Sequence, residues 1–350
     1  MTRASGLGEG ARLIAKAARS LGLPVWAFDL RPLDDGRAEV DAPAGNDGLP
    51  PPGVPLVVHV NAPMLPLALL RLPRALTRRR PIVGYWAWEL QEIPPEWRPA
   101  VACVSEIWVP SHFTAAAMEA LAPGRVRVVP PPLALVPPVP SALDRSAFGL
   151  PRDAVVVLVS FNLASSFSRK HPFAALAAFH AAFSDRADRL LVLKVNHAEH
   201  APVDFNRLAG MAAGPNIRLE TRILPAADSH ALTACADIVL SLHRAEGFGL
   251  VLAEAMLLGK PVVATGWSGN TDFMHAGNSE PVGFRMVPAR DDRSVYRGLW
   301  AEPDVQAAAD RLRALADDPA LRFELGQRAR ASAMAQLDAR PLAAALGVAQ

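Results

Sequence analysis

The chain has 350 residues, 51% of them apolar and 20% charged, with a formal net charge of +2. Such a length is long for one core and suits two domains, and so small a net charge excludes an extended basic face and nucleic acid as an expected partner. The cysteines, Cys103 and Cys235, are far apart and lack metal-ligand spacing, and no apolar run reaches the roughly eighteen residues of a membrane span. With no secretory leader in evidence, a cytoplasmic protein with reduced thiols is expected.

The first pattern is "GLGEGA", Gly6 to Ala11, which fits the G-x-G-x-x-A form of a phosphate-cradling turn, with Asp29 at about the ribose-binding distance. A nicotinamide-dependent oxidoreductase is therefore one reading. That turn should follow a strand, yet only "MTRAS" precedes it, so the first N-terminal strand is expected to be missing. Apolar runs follow in order: "LPVWAFDL", "PLVVHVN", "PIVGYWAW", "EIWVP" and "RVRVVP". Each predicts a strand, and runs without polar alternation predict parallel strands covered on both faces. Between the second and third lies "PLALLRLPRALTRRRP", residues 66–81, with five arginines, several leucines and no acid. A basic, apolar segment of this kind suits an anionic membrane surface, although an ordinary helix with a solvated basic face explains it as well. Trp86, Trp88 and Glu89 close the third run; tryptophan stacks on sugar rings, and core packing accounts for at least one of them.

"VPPPLALVPPVPSALD", Val129 to Asp144, predicts a stiff linker, since proline continues neither a ladder nor a helix interior. Beyond it, "AVVVLVSF", "RLLVLKV", "NIRLE", "ADIVLSL" and "KPVVATG" alternate with alanine-rich helical stretches, the pattern of a doubly wound α/β half. After Trp300 the sequence predicts helix throughout. The pair His197-x-x-His200 follows a strand, but the spacing of the histidines completes no ligand set, and no metal is expected.

Two loops of this second half carry chemistry. "HRAEGFG" leaves the strand "ADIVLSL", and an apolar helix is expected from near Gly249 to Gly259, the latter a left-handed cap. Gly247, Phe248 and Gly249 allow close backbone approach, and the helix N-terminus offers amides to an anion. Glu246 stands in that loop and Glu254 in the second helical turn, the single charge between Gly249 and Leu258. Carboxylates accept from paired sugar hydroxyls, which gives both glutamates one ligand. The plainer alternative is a solvated Glu246 and a Glu254 paired with Arg244. In "SFNLASSFSRKHPFAALAAF", Arg169 and Lys170 sit together at a helix start, where fixed cations suit a diphosphate leaving group.

"EGFGLVLAEAM" followed by "GKPVVATGWSGNTDFM" resembles the retaining glycosyltransferases of family 4, with further similarity in "SGLGEGAR", "GYWAWEL", "EIWVPSHF" and "SRKHPFAALAAFHAAF". The pieces between Tyr85 and Ser111 are similar to the subgroup of polysaccharide and glycan assembly. The resemblance implies the α/β GT-B fold, two Rossmann-like doubly wound domains facing across a cleft. Residues 1–140 would bind the acceptor, 141–302 the nucleotide-sugar donor, and 303–350 would be helical and partly packed back on the first domain. It implies that Glu246 holds hexose hydroxyls, Glu254 the ribose, and Gly247 to Gly249 face sugar and diphosphate. Lys170 with Arg169 would neutralise the leaving group, the Gly6 to Gly8 turn would close over the phosphates, and Arg244 and Asn270 would join the donor side. Trp88 and Glu89 would stand on the acceptor side. Transfer with retention, without a metal or bound cofactor, to a glycan or lipid-linked acceptor is the implied reaction, with residues 66–81 as a peripheral contact at the inner membrane face. Many family members carry a further arginine after the strand preceding the Lys170 loop; here Phe161-Asn162 stands there, so Arg169 or Arg244 would substitute. A catalytically degenerate binding or partner protein is the non-enzymatic alternative.

Overall fold

The structure is a computed structural model and describes residues 6–28, 30, 46–291 and 295–348. The chain divides into two compact units, Met1–Val136 with Leu337–Gln350, and Pro137–Gln336.

In the first unit, α1 (Gly6–Ser20) buries Ala11, Ile14, Ala15 and Ala18, one apolar stripe at helical spacing. Gly22, at φ 78°, ends it, and the Leu23 amide closes back on the Ala18 carbonyl at 3.0 Å. Gly6 and Gly8 thus belong to the first helical turn and not to a loop ahead of it. "LPVWAFDL" is no strand in its described part: Val25 exchanges bonds with Asn46, through its carbonyl at 2.7 Å and its amide at 3.0 Å, so loop contacts replace a ladder. Asp29 lies outside the described residues.

The sheet follows with β1 (Leu56–Val58), the short helices α2 (Leu65–Arg71) and α3 (Arg74–Thr77), β2 (Ile82–Tyr85), β3 (Glu106–Val109), α4 (His112–Glu119) and β4 (Val126–Val128). Among the described residues it has four parallel strands in the order β1-β2-β3-β4. Pro73 splits residues 66–81, since Leu72 before it is extended and cannot continue α2. Trp86 and Trp88 are both buried and both meet the Trp97 ring edge-on, at centroid distances of 5.9 and 5.2 Å. Trp88 is therefore core, and its indole N–H donates to the Glu92 carbonyl at 2.8 Å, which removes it as a stacking platform for an acceptor.

The second unit contains β5 (Val155–Asn162), α5 (Phe167–Lys170), α6 (Pro172–Phe183), β6 (Arg189–Asn196), α7 (Pro202–Met211), β7 (Ile217–Glu220), α8 (Ala226–Cys235), β8 (Ile238–Ser241), α9 (Leu250–Leu257), β9 (Val262–Thr265) and β10 (Glu280–Val282). Among the described residues its six parallel strands run β10-β9-β8-β5-β6-β7. From β5 the chain winds outward through β6 and β7, then returns to the other side of β5 for β8, β9 and β10. This is the doubly wound order, with its switch point between β5 and β8. The central strands are buried nearly throughout, which explains their unbroken apolar runs.

An antiparallel hairpin, β11 (Phe284–Pro288) with β12 (Leu299–Pro303), precedes α10 (Val305–Asp317) and α11 (Pro319–Gln336). Residues 301–303 are thus strand where helix was expected; the Ala301 amide is held by the Arg244 carbonyl at 3.0 Å. Asp304 caps α10 through the Ala307 amide. The last helix, α12 (Arg340–Ala345), belongs with the first unit, where the Ala134 amide donates to the Leu337 carbonyl at 2.9 Å.

Candidate functional site

Ligands of doubly wound sheets sit beyond the carboxyl ends of the strands at the switch point. Here the loops leaving β5 and β8 meet at that place. After β5, Ser166 caps α5 by accepting from the Arg169 amide at 3.2 Å, and His171, at φ 49°, separates α5 from α6. This short turn brings Arg169 and Lys170 to the loop after β8. The Arg244 amide donates to the Arg169 carbonyl at 2.8 Å, and the Arg169 guanidinium donates to the Ala245 carbonyl at 2.7 Å and to Glu246 Oε2 at 3.2 Å. Lys170 Nζ donates to Glu246 Oε1. Three of the residues singled out in the sequence therefore form one cluster, with Arg169 and Glu246 buried and Lys170 partly exposed.

Burial alone would push the Glu246 carboxyl up; the Lys170 and Arg169 cations outweigh it and hold it down at about 2. The loop is fixed from behind by residues after β9. Ser268 Oγ accepts from the Glu246 amide at 2.8 Å, and the Gly269 amide donates to the Glu246 carbonyl at 2.9 Å. The backbones are so close that a Cβ on Gly269 would stand 2.2 Å from the Gly247 carbonyl oxygen. Fully buried Asn270 donates to the Thr265 carbonyl at 3.0 Å, and its Oδ1 faces His243 Nε2 at 3.0 Å. It thereby ties the segment after β9 to His243 at the start of the loop after β8. Facing acceptors fix the proton of His243 on Nε2, so Nδ1 accepts from Ser241 Oγ at 3.0 Å; burial lowers its basicity and keeps the ring neutral.

Gly249, at φ 94°, opens α9 in the left-handed region, and Gly259, at φ 71°, follows it. Glu254 lies on α9 between buried Ala253 and Ala255, and its side chain keeps only 17% of its exposure. Its neighbour is His230 of α8, with Nε2 at 3.6 Å from Oε1. Arg244 is not that neighbour: its guanidinium bonds Glu302 on β12 at 2.8 Å and the Ser168 carbonyl at 3.1 Å, and lies over the Trp300 ring. His171 also meets Glu302, at 3.1 Å; burial and then Arg244 outweigh Glu302 and lower its pKa to about 4, so this is a bond to a neutral ring. His230 and Glu302 escaped the sequence reading, because neither lies in a motif and each is far along the chain from the residue it meets. Gly6, Gly8 and the half-buried Glu89 lie in the first unit, apart in sequence and domain from this cluster.

Known structures share this architecture. HepE from Anabaena, solved with UDP and glucose, superposes with a TM-score of 0.66 at 17% identity, covering 99% of this chain and 97% of that one. WaaG, a glycosyltransferase involved in lipopolysaccharide biosynthesis, gives 0.61 at 18% identity, with 97% and 95% covered. TarM of S. aureus gives 0.58 at 10%, over 84% of this chain and 54% of that one. The fold is that of the GT-B glycosyltransferases. In sequence, D-inositol 3-phosphate glycosyltransferase 1 of Catenulispora acidiphila is 31% identical over 210 residues, 58% of this chain and 46% of that protein, so the chain spans about half of that relative's length. Residues 115–342 match the family described as "Family 4 Glycosyltransferase in conflict systems", and the chain belongs to that family.

Proposed function

We propose that the protein is a retaining glycosyltransferase that moves a hexose from a nucleotide-sugar donor to a glycan or lipid-linked acceptor, with no metal in the transfer step. The observation that carries this reading is the Lys170–Glu246–Arg169 cluster at the switch point of the donor-side sheet. Fixed cations there match the diphosphate on which negative charge grows as the bond to the sugar C1 breaks. Glu246 exchanges its ion pair for hexose hydroxyls, and Glu254 accepts from the ribose hydroxyls. The acceptor oxygen bonds to C1 on the face the diphosphate leaves, and its proton passes to the departing phosphate oxygen. Losing one cation of this kind costs roughly 10²–10³ in rate.

Thermal melting with UDP-, GDP- and ADP-sugars, beside NAD and NADP, tests the donor class, because a ligand of the native state raises the melting temperature. One sugar-nucleotide class is expected to stabilise the protein, less so after Glu254→Gln. Product formation by mass spectrometry is expected to fall by about 10²–10³ in Lys170→Ala. A shift with NAD alone sinks the reading, and donor binding without any turnover leaves the partner-protein alternative.

We also place the proposed protein in the cytoplasm, with residues 66–81 at the acceptor's membrane. Leu70 is 83% and Leu67 40% exposed, beside Arg71 and Arg74. Co-sedimentation with phosphatidylglycerol vesicles, weakened by Leu70→Ser with Arg74→Ser, is the expected outcome; equal recovery with neutral vesicles contradicts it.

A further inference from the structure

His197, Glu199 and His200 bring one ligand atom each to within 4.8 Å of one another. They lie in a single turn between β6 and α7, formed as the His200 amide bonds the His197 carbonyl at 3.1 Å and the Ala201 amide the Ala198 carbonyl at 3.2 Å. The two histidines alone completed no set; the glutamate between them supplies the third ligand. Glu199 Oε1 stands 3.0 Å from His197 Nδ1 and 3.9 Å from His200 Nε2. Ligand atoms on a tetrahedral Zn2+ with bonds of about 2.0–2.1 Å stand about 3.3–3.4 Å apart, so the two spacings from Glu199 bracket the required one.

Two further features set this turn apart from a chance grouping. His197 adopts the left-handed conformation, φ 57° and ψ 49°, which is unfavourable for a residue with a Cβ and is kept where the surroundings demand it. Its imidazole is also 8% exposed, so one ligand is already oriented before any ion arrives, while His200 and Glu199 stay accessible at 51% and 69%. Histidine nitrogen with one carboxylate oxygen is a donor set for Zn2+ and its late first-row neighbours, and unsuited to Mg2+ or Ca2+, which take oxygen.

We propose that His197, Glu199 and His200 form a three-ligand site for a Zn2+-class ion, with its fourth position open to water or an anion. The site stands outside the transfer chemistry and does not depend on the donor-site reading. It adjoins it, however: the Leu163 amide bonds the Asn196 carbonyl at 2.9 Å, so the turn and the Arg169 loop leave neighbouring strands at one level. His200 also lines a cavity of about 200 Å³ together with Ser165, which accepts from Arg169 at 2.6 Å. The bound ion would clamp the turn beside the loop that carries both cations.

The test uses tag-free full-length protein stripped with EDTA. Zn2+ is titrated against a chromophoric chelator, and Co2+ is followed by its visible absorption. One ion per chain is expected, with Co2+ bands of low-coordinate intensity. Glu199→Gln and His200→Ala are each expected to weaken binding by on the order of tenfold or more, as is His197→Asn, which tolerates the left-handed backbone. His180→Ala, an exposed histidine outside the turn, is expected to leave it unchanged. Melting without metal confirms that each variant is folded. No stoichiometric uptake, or uptake that survives both Glu199→Gln and His200→Ala, overturns the proposal.

Discussion

Glu246 is a carboxylate whose charge survives burial only because two cations face it. Its pKa in the folded protein, about 2 against an ordinary 4.5, is depressed, so the linked stability is present above pH 4.5 and is lost as pH falls towards 2. On the order of 3 kcal/mol is at stake. In Glu246→Gln that component is gone, and Lys170 and Arg169 lose their counterion. At neutral pH the urea midpoint of the variant is expected below that of the parent, and the gap should close as pH drops through this window. A gap of equal size at pH 3 and pH 7 would show that the ion pair contributes nothing. Glu254 differs in kind: its neighbour, His230, is one helix away, and on the function proposed above a sugar-nucleotide reaching Glu254 would meet that imidazole too.

At the scale of elements, the site depends on backbone packed directly against backbone. A Cβ at Gly269 would stand 2.2 Å from the Gly247 carbonyl oxygen, and one at Gly326 of α11 would stand 2.1 Å from the Gly259 carbonyl oxygen. Neither acceptor is a side chain that can rotate away. Gly269→Ala and Gly326→Ala are each expected to destabilise by about 1–3 kcal/mol in melting experiments. Only the first should also weaken donor affinity, because only it displaces the loop of Glu246; equal effects on affinity would contradict that assignment. The elements read correctly from sequence are those with a strong local signal. The apolar run of α9 between Gly249 and Gly259, and the basic pair after β5, are of this type. The parallel strands of the second unit were legible because both of their faces are covered. Three features were not. The segment after α1 has a strand's composition but finds loop partners in Asn46 and Asp47. Residues 301–303 sit before a helical stretch, and their strand is set by pairing with β11. The meeting of Arg244 with Glu302 joins residues 58 positions apart, which no local pattern encodes.

At the scale of the whole molecule, Arg169, Lys170 and Glu246 all fall within Pro137–Gln336. That unit has its own core, in which Val157, Phe179, Leu193, Leu240 and Leu312 are buried together. A fragment of residues 137–336 is therefore expected to melt cooperatively and to keep its shift with the stabilising sugar-nucleotide. A fragment that folds yet shows no shift would assign donor binding to both units jointly.

In the free protein a tethered carboxylate already stands where mobile anions would otherwise gather around Lys170 and Arg169. On the function proposed above, an arriving diphosphate would displace that internal anion and release few small ions to solution. Recognition would then be an exchange of counterions, and the slope of log affinity against log salt should be shallower in the parent than in Glu246→Gln, where dissolved salt must take the carboxylate's part.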